Sequence, residues 1–120
     1  MNYPWIDEYL LAKKGVNKDL KIEWNWVRYR LDDKMFAAVC LDDDNKPKYI
    51  TLKLEPAEGE FLRKEYPDII PGYYMDKVNW NSINPDGVVP DDLLKEMLDK
   101  SYHLILAKFS KKKQAELLGL

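Results

Sequence analysis

Residues 26–54 read as three strands joined by two polar turns, and this pattern constrains the fold more than any other part of the chain. Trp26, Arg28 and Arg30 alternate with Val27, Tyr29 and Leu31, the period of a half-buried strand. Asp32-Asp33 then supplies a tight turn. Residues 35–41 are apolar on both faces, with small Ala37 and Ala38, which predicts an interior strand covered from both sides. Cys40 falls inside it as a small buried hydrophobe of low reactivity. After the turn-forming run Asp42-Asp43-Asp44-Asn45-Lys46-Pro47, Ile50, Leu52 and Leu54 alternate with Tyr49, Thr51 and Lys53. An antiparallel three-stranded meander is expected.

Helical periods flank it. Trp5, Ile6, Tyr9 and Leu10 form a stripe that Gly15 is placed to end in a left-handed conformation. Pro56 fits the first turn of a second helix, where Glu58 and Glu60 complement the positive dipole end. Phe61, Leu62 and Tyr66 give that helix an apolar face, Gly59 weakens it, and Pro67 stops it. Val78, Trp80 and Ser82 alternate with Lys77, Asn79, Asn81 and Ile83 as in a further strand, closed by Asn84-Pro85-Asp86-Gly87. A long helix follows from Pro90 to about residue 109, with Asp91 and Asp92 at its start, Lys108 at its end, and a stripe of Leu93, Leu94, Met97, Leu98, Leu104 and Ile105. The expected class is α/β (α+β): an antiparallel sheet packed with helices, in the order α-β-β-β-α-β-α. At 120 residues the chain suffices for one core, not two ordinary domains.

The same residues argue against several functions. One cysteine excludes an intrachain disulfide and a thiolate zinc site, and suits a reducing interior. Without a basic-then-apolar leader or a long apolar segment, a cytoplasmic protein with no membrane partner is expected. Ser101-Tyr102 has no evident activator, His103 is the single histidine, and the acids at 32–33 and 42–44 lack the spacing of a calcium loop. No glycine-rich phosphate cradle is present. A non-enzyme with no cofactor and no metal is the expectation.

Residues 71–83 interleave aromatic, amide and cationic side chains after Pro71-Gly72, a pair that fits a turn requiring positive φ at the glycine. Rings stack on unpaired bases, lysine neutralises phosphate, and asparagine pairs with an adenine edge. Tyr73, Tyr74, Lys77, Trp80 and Asn81, with Lys53 and Lys108 nearby, therefore make a candidate DNA surface. With a net charge of -2, only a local patch could hold a polyanion. Arg28 and Arg30 would extend that patch or protect an edge strand, and Lys111, Lys112 and Lys113 would touch phosphates or simply solvate the terminus. Packing explains Tyr73 and Trp80 equally well. Two further readings use the same surface: a protein-interaction adaptor anchored by its aromatics, or a small-ligand pocket.

The dispersed motifs Lys34-Met35-Phe36-Ala37, Leu52-Lys53, Tyr66-Pro67, Pro71-Gly72-Tyr73-Tyr74-Met75-Asp76-Lys77 with Trp80-Asn81, Pro90-Asp91-Asp92-Leu93-Leu94, and Ser101-Tyr102 leading to Ala107-Lys108 resemble the MmcQ/YjbR family in order and spacing. The resemblance runs through nearly all of residues 1–120 and is weakest before Asn25, where Trp24 and Trp26 replace a more usual short loop. It implies a small α/β domain similar to a double-wing fold, with DNA binding attached by analogy of fold.

Overall fold

The meander forms where its alternation places it. The computed structural model describes residues 1–120, with β2 at Trp26–Leu31, β3 at Lys34–Leu41 and β4 at Pro47–Lys53, each antiparallel to the next. Asp32 and Asn45 turn the chain between them at φ of 52° and 60°, conformations that Asp and Asn tolerate better than most residues. The expected antiparallel α+β class therefore holds, but the sheet is larger than its pattern announced. Its six strands run β1-β2-β3-β4-β6-β5, with β1 at Val16–Lys21, β5 at Ile69–Pro71 and β6 at Trp80–Ile83.

The expected element order needs three additions. Strand β1 is polar and lies at the sheet's edge, held by a cross-strand pair in which Arg28 donates to both Asp19 oxygens at 2.8 and 2.6 Å. Strand β5 has only three residues, too few for a period. The third is a helix, α4, at Lys111–Leu118, where a solvated tail was expected. Its lysines lie at the unfavourable end of the dipole, and its start is secured by Ser110, whose hydroxyl accepts from the Lys113 amide at 3.1 Å.

Three helices cover one face of the sheet: α1 at Ile6–Leu11, α2 at Pro56–Glu65 and α3 at Asp91–Leu106. Helix α3 buries Leu94, Met97, Leu98, Ser101, Tyr102 and Ile105 against β3 and β4, a helical spacing of three and four. Its Ser101 hydroxyl donates to the Phe36 carbonyl at 2.6 Å and accepts from the Lys53 amide at 2.9 Å. Phe36 is the extra residue of a bulge opposite β2, so Ser101 satisfies backbone groups just where the β3–β4 ladder ends.

Gly15 takes the expected left-handed conformation, though not as a helix end, whereas Gly72 does not take it at all. Gly15 has φ of 79°, but α1 already ends at Leu11, and the glycine instead lets the chain pass Leu117, whose carbonyl oxygen a Cβ would approach to 2.8 Å. Gly72 does not take the expected positive φ. It is needed for close approach, since a Cβ there would lie 3.0 Å from Trp80 Cβ and 3.1 Å from its carbonyl oxygen.

Candidate functional site

The second face of the sheet carries no helix. A smaller cluster of Trp26, Ala38 and Cys40 lies there, with Met35, Tyr49 and Met75 packed on it. Trp26 is opposite Cys40, and Cys40 opposite Tyr49, so the sheet register brings these side chains into one row. Met75 reaches them because residues 72–79 fold back as an arm over this face. The Gly72 amide donates to the Trp80 carbonyl at 2.7 Å, the Trp80 amide to the Asp76 carbonyl at 3.1 Å, and the Tyr73 amide to Ser82 Oγ at 3.0 Å. Within the arm, Asp76 accepts from Asn79 Nδ2 and from the Val78 amide, both at 2.8 Å, and these bonds hold its carboxyl below the usual range.

The arm builds an aromatic shelf. Tyr73 stacks on Tyr49 at 5.0 Å and 27°, and meets Tyr74 edge-on at 4.7 Å. Tyr74 leans on Trp26 at 5.5 Å, and Trp26 on Trp24 at 5.2 Å. Tyr73, Tyr74 and Trp24 remain 50%, 47% and 54% exposed. Lys48 closes one side: its ammonium is 3.3 Å from the Tyr74 hydroxyl and 5.4 Å from the Tyr73 ring centre. Beside it a cavity of about 430 Å³ is lined by Trp24, Trp26, Tyr74 and Met75.

The residues proposed from sequence divide into three groups. Tyr73 and Tyr74 stand on the shelf, whereas Lys77 donates its ammonium to the Gly72 carbonyl at 2.9 Å and so fixes the arm. Lys53 and Lys108 form a separate cationic corner, with half-buried Trp80 opposite Lys53 in β6. Burial first, and then the Lys108 ammonium, lowers the Lys53 ammonium's pKa, and neither lysine is ion-paired. Asn81 belongs to neither surface. It is fully buried on the helix-covered face and accepts from Arg63 Nη1 at 2.5 Å, so it cannot present its amide to a base edge.

Other charges change role as well. Arg28 is neutralised by Asp19, and Arg30 lies 3.6 Å from the same carboxylate, so the pair is no free positive patch. Lys113 pairs with Asp32 and Glu116. Ser101 is engaged by backbone, and His103 is exposed on α3. Sequence reasoning missed Trp24, Trp26, Lys48, Tyr49 and Met75 as site residues. The aromatic density around Asn25 was a signal, but only register and the folded-back arm join it to Tyr74.

Comparison with known proteins gives the chain and its fold several relatives. The family model described as YjbR matches residues 11–104. The chain is similar to the uncharacterized protein YjbR of Escherichia coli (strain K12), 27% identical over 113 residues that make up 94% of each chain. It is also 33% identical over 64 residues to the uncharacterized protein YyaQ of Bacillus subtilis (strain 168), covering 53% of each. Among solved structures, the Deinococcus radiodurans protein DR2400, of domain family DUF419, matches with a TM-score of 0.82 at 30% identity, covering 96% of this chain and 86% of that one. A Pseudomonas syringae protein matches in fold alone, with a TM-score of 0.73 at 23% identity over 88% of this chain and 99% of that one.

Proposed function

This chain belongs to the YjbR family, and from that premise we propose that it is a non-enzymatic binding module for single-stranded DNA. The observation that carries the reading is the half-exposed Tyr73 ring, stacked on Tyr49 with the Lys48 ammonium 5.4 Å from its centre. Such a ring offers a base a rigid stacking partner at little entropic cost, and the ammonium lies where a phosphate would approach. Lys53 and Lys108 supply a second cationic point. Lys53 is separated from Tyr49 along β4 by about 13 Å at roughly 3.3 Å per residue, a span a short single strand covers. Burial of Asn81 removes the side chain suited to reading a duplex edge, which favours the single strand over the duplex. Fluorescence anisotropy of a labelled thymidine oligomer at low salt tests the proposal. Salt-sensitive binding, weakened by Tyr73→Ala, is the expected result, and no association at low salt would overturn it.

One observation favours a second reading, a protein-interaction adaptor. Asn25 donates to the Asp42 carbonyl at 3.1 Å and to Asn45 Oδ1 at 2.9 Å, which fastens the acidic turn beside Trp24 and Trp26. An apolar patch bordered by acids suits a basic peptide segment with an aromatic or aliphatic anchor. Failure of the oligomer titration brings this reading forward.

A further inference from the structure

The shelf offers stacking from one side only, whereas the neighbouring cavity is walled by rings set at angles. Trp24 meets Trp26 at 64°, Trp26 meets Tyr74 at 51°, and Met75 completes the lining of about 430 Å³. A volume of this size falls within the range of small-ligand sites. Trp24 is 54% exposed and its neighbour Ile22 is 78% exposed, so apolar surface is left in water at this end of the sheet.

Charge decides which ligand fits. Lys21 Nζ lies 5.3 Å and Arg28 Cζ 6.0 Å from the Trp24 ring centre, and Lys48 Nζ lies 5.9 Å from that of Tyr74. The chain's own cations thus already occupy the attraction these rings would offer a cationic guest. Three of the acids around it are engaged: Asp19 by Arg28, Glu23 by Lys21 at 3.6 Å, and the Asp42 carboxylate by the Asp44 and Lys46 amides. A flat, uncharged ring carrying an anion at its edge meets all of these conditions.

We propose that the cavity between Trp24, Trp26, Tyr74 and Met75 accepts one unstacked nucleobase, with an adjoining phosphate toward Lys48. The inference rests on the single-strand reading above and deepens it. Tyr73 provides an open stacking step, and the cavity holds a neighbouring base. Recognition is by ring face, so the site tolerates different bases.

The test compares a labelled thymidine oligomer with an oligomer of equal length made of abasic sugar-phosphate. Trp24→Leu keeps apolar bulk without a flat ring, and Trp24→Phe keeps a ring. The leucine variant should weaken oligomer binding by roughly 5- to 150-fold, the range of one base–aromatic stack, while leaving abasic binding unchanged. The phenylalanine variant should retain most of the affinity. Tyr74→Ala provides an independent second wall, should Trp24→Leu fail to fold. Salt-sensitive oligomer binding unaffected by Trp24→Leu and Tyr74→Ala would overturn the cavity inference and leave the proposed function standing. Absence of oligomer binding to the unsubstituted protein would overturn both.

Discussion

The Asn81 side-chain oxygen accepts a hydrogen bond from Arg63 Nη1 at 2.5 Å, joining β6 to α2 beneath a fully buried amide. The bond is charge-assisted and joins a buried acceptor to a half-buried guanidinium, which makes it a stabilising contact. Gly59 allows it: a Cβ there would lie 2.9 Å from Arg63 Nη1 and 3.2 Å from Asn81 Oδ1.

Asn81→Ala should therefore lower stability by about 1.5–3 kcal/mol, the worth of a hydrogen bond to a charged group. Affinity for single-stranded DNA should stay unchanged. Urea unfolding and anisotropy on the same preparation check the two halves separately.

Leu98 is fully buried where α3 meets the sheet. Leu98→Ala should cost about 2–5 kcal/mol. A loss near zero in denaturant unfolding would show that the helix does not rest on the sheet through this residue.

Cys40 is fully buried, and burial pushes its thiol up to about 11. At pH 8 the thiolate is then scarce as well as inaccessible. Labelling of the native protein should be slow and should accelerate through the urea transition, whereas fast modification without denaturant would contradict the covered second face.

The Lys53–Lys108 corner should trade stability for binding. A lysine whose folded pKa is lowered destabilises the native state while protonated, and that penalty disappears as pH rises from the lowered value to the ordinary lysine value. Lys108→Met should consequently raise stability at pH 7, by less than about 1 kcal/mol given the solvent exposure, and the gain should shrink at alkaline pH. With three phosphate contacts, at Lys48, Lys53 and Lys108, log K should fall with log salt at a slope of roughly -2 on a single strand, and this variant should flatten it by about 0.7. An unchanged slope would remove Lys108 from the interface.

Gly72→Ala forces a methyl against Trp80, at 3.0 Å from its Cβ. Overpacking of this kind costs about 1–3 kcal/mol. Because the arm leaves the sheet there, held by the Gly72 amide on the Trp80 carbonyl, oligomer affinity should fall too, and titration of the folded variant checks it.

The parts of this fold legible from sequence were those with a period long enough to count. Strands β2 and β4 and helix α3 repeat their apolar residues several times, β3 is an unbroken apolar run, and α2 was marked by Pro56 and its acids rather than by its apolar face, where Leu62 is buried but Phe61 is exposed; β5 has three residues and β1 is a polar edge strand. Helix α4 buries no residue fully and places lysines against its dipole, so neither pattern nor charge marked it. In the candidate site, the sequence left Tyr73 open between packing and display, and the structure shows both at once, a ring stacked on Tyr49 and still 50% exposed. Asn81 shares its face with Ile83, and that position, more than its amide chemistry, determines that it is buried. The row Trp26, Cys40 and Tyr49 had no local signature, since antiparallel register alone sets those residues side by side.

The Ser101 hydroxyl acts as a gauge of strand alignment. It bonds to Phe36 in one strand and Lys53 in the next, so it reads the alignment of both together. A slip of one residue would move either partner by about 3.3 Å, beyond hydrogen-bond reach. Helix α3 thus docks with its hydroxyl satisfied on a single alignment of β3 and β4, so a slipped hairpin under the helix would leave that hydroxyl and both backbone groups without their partners.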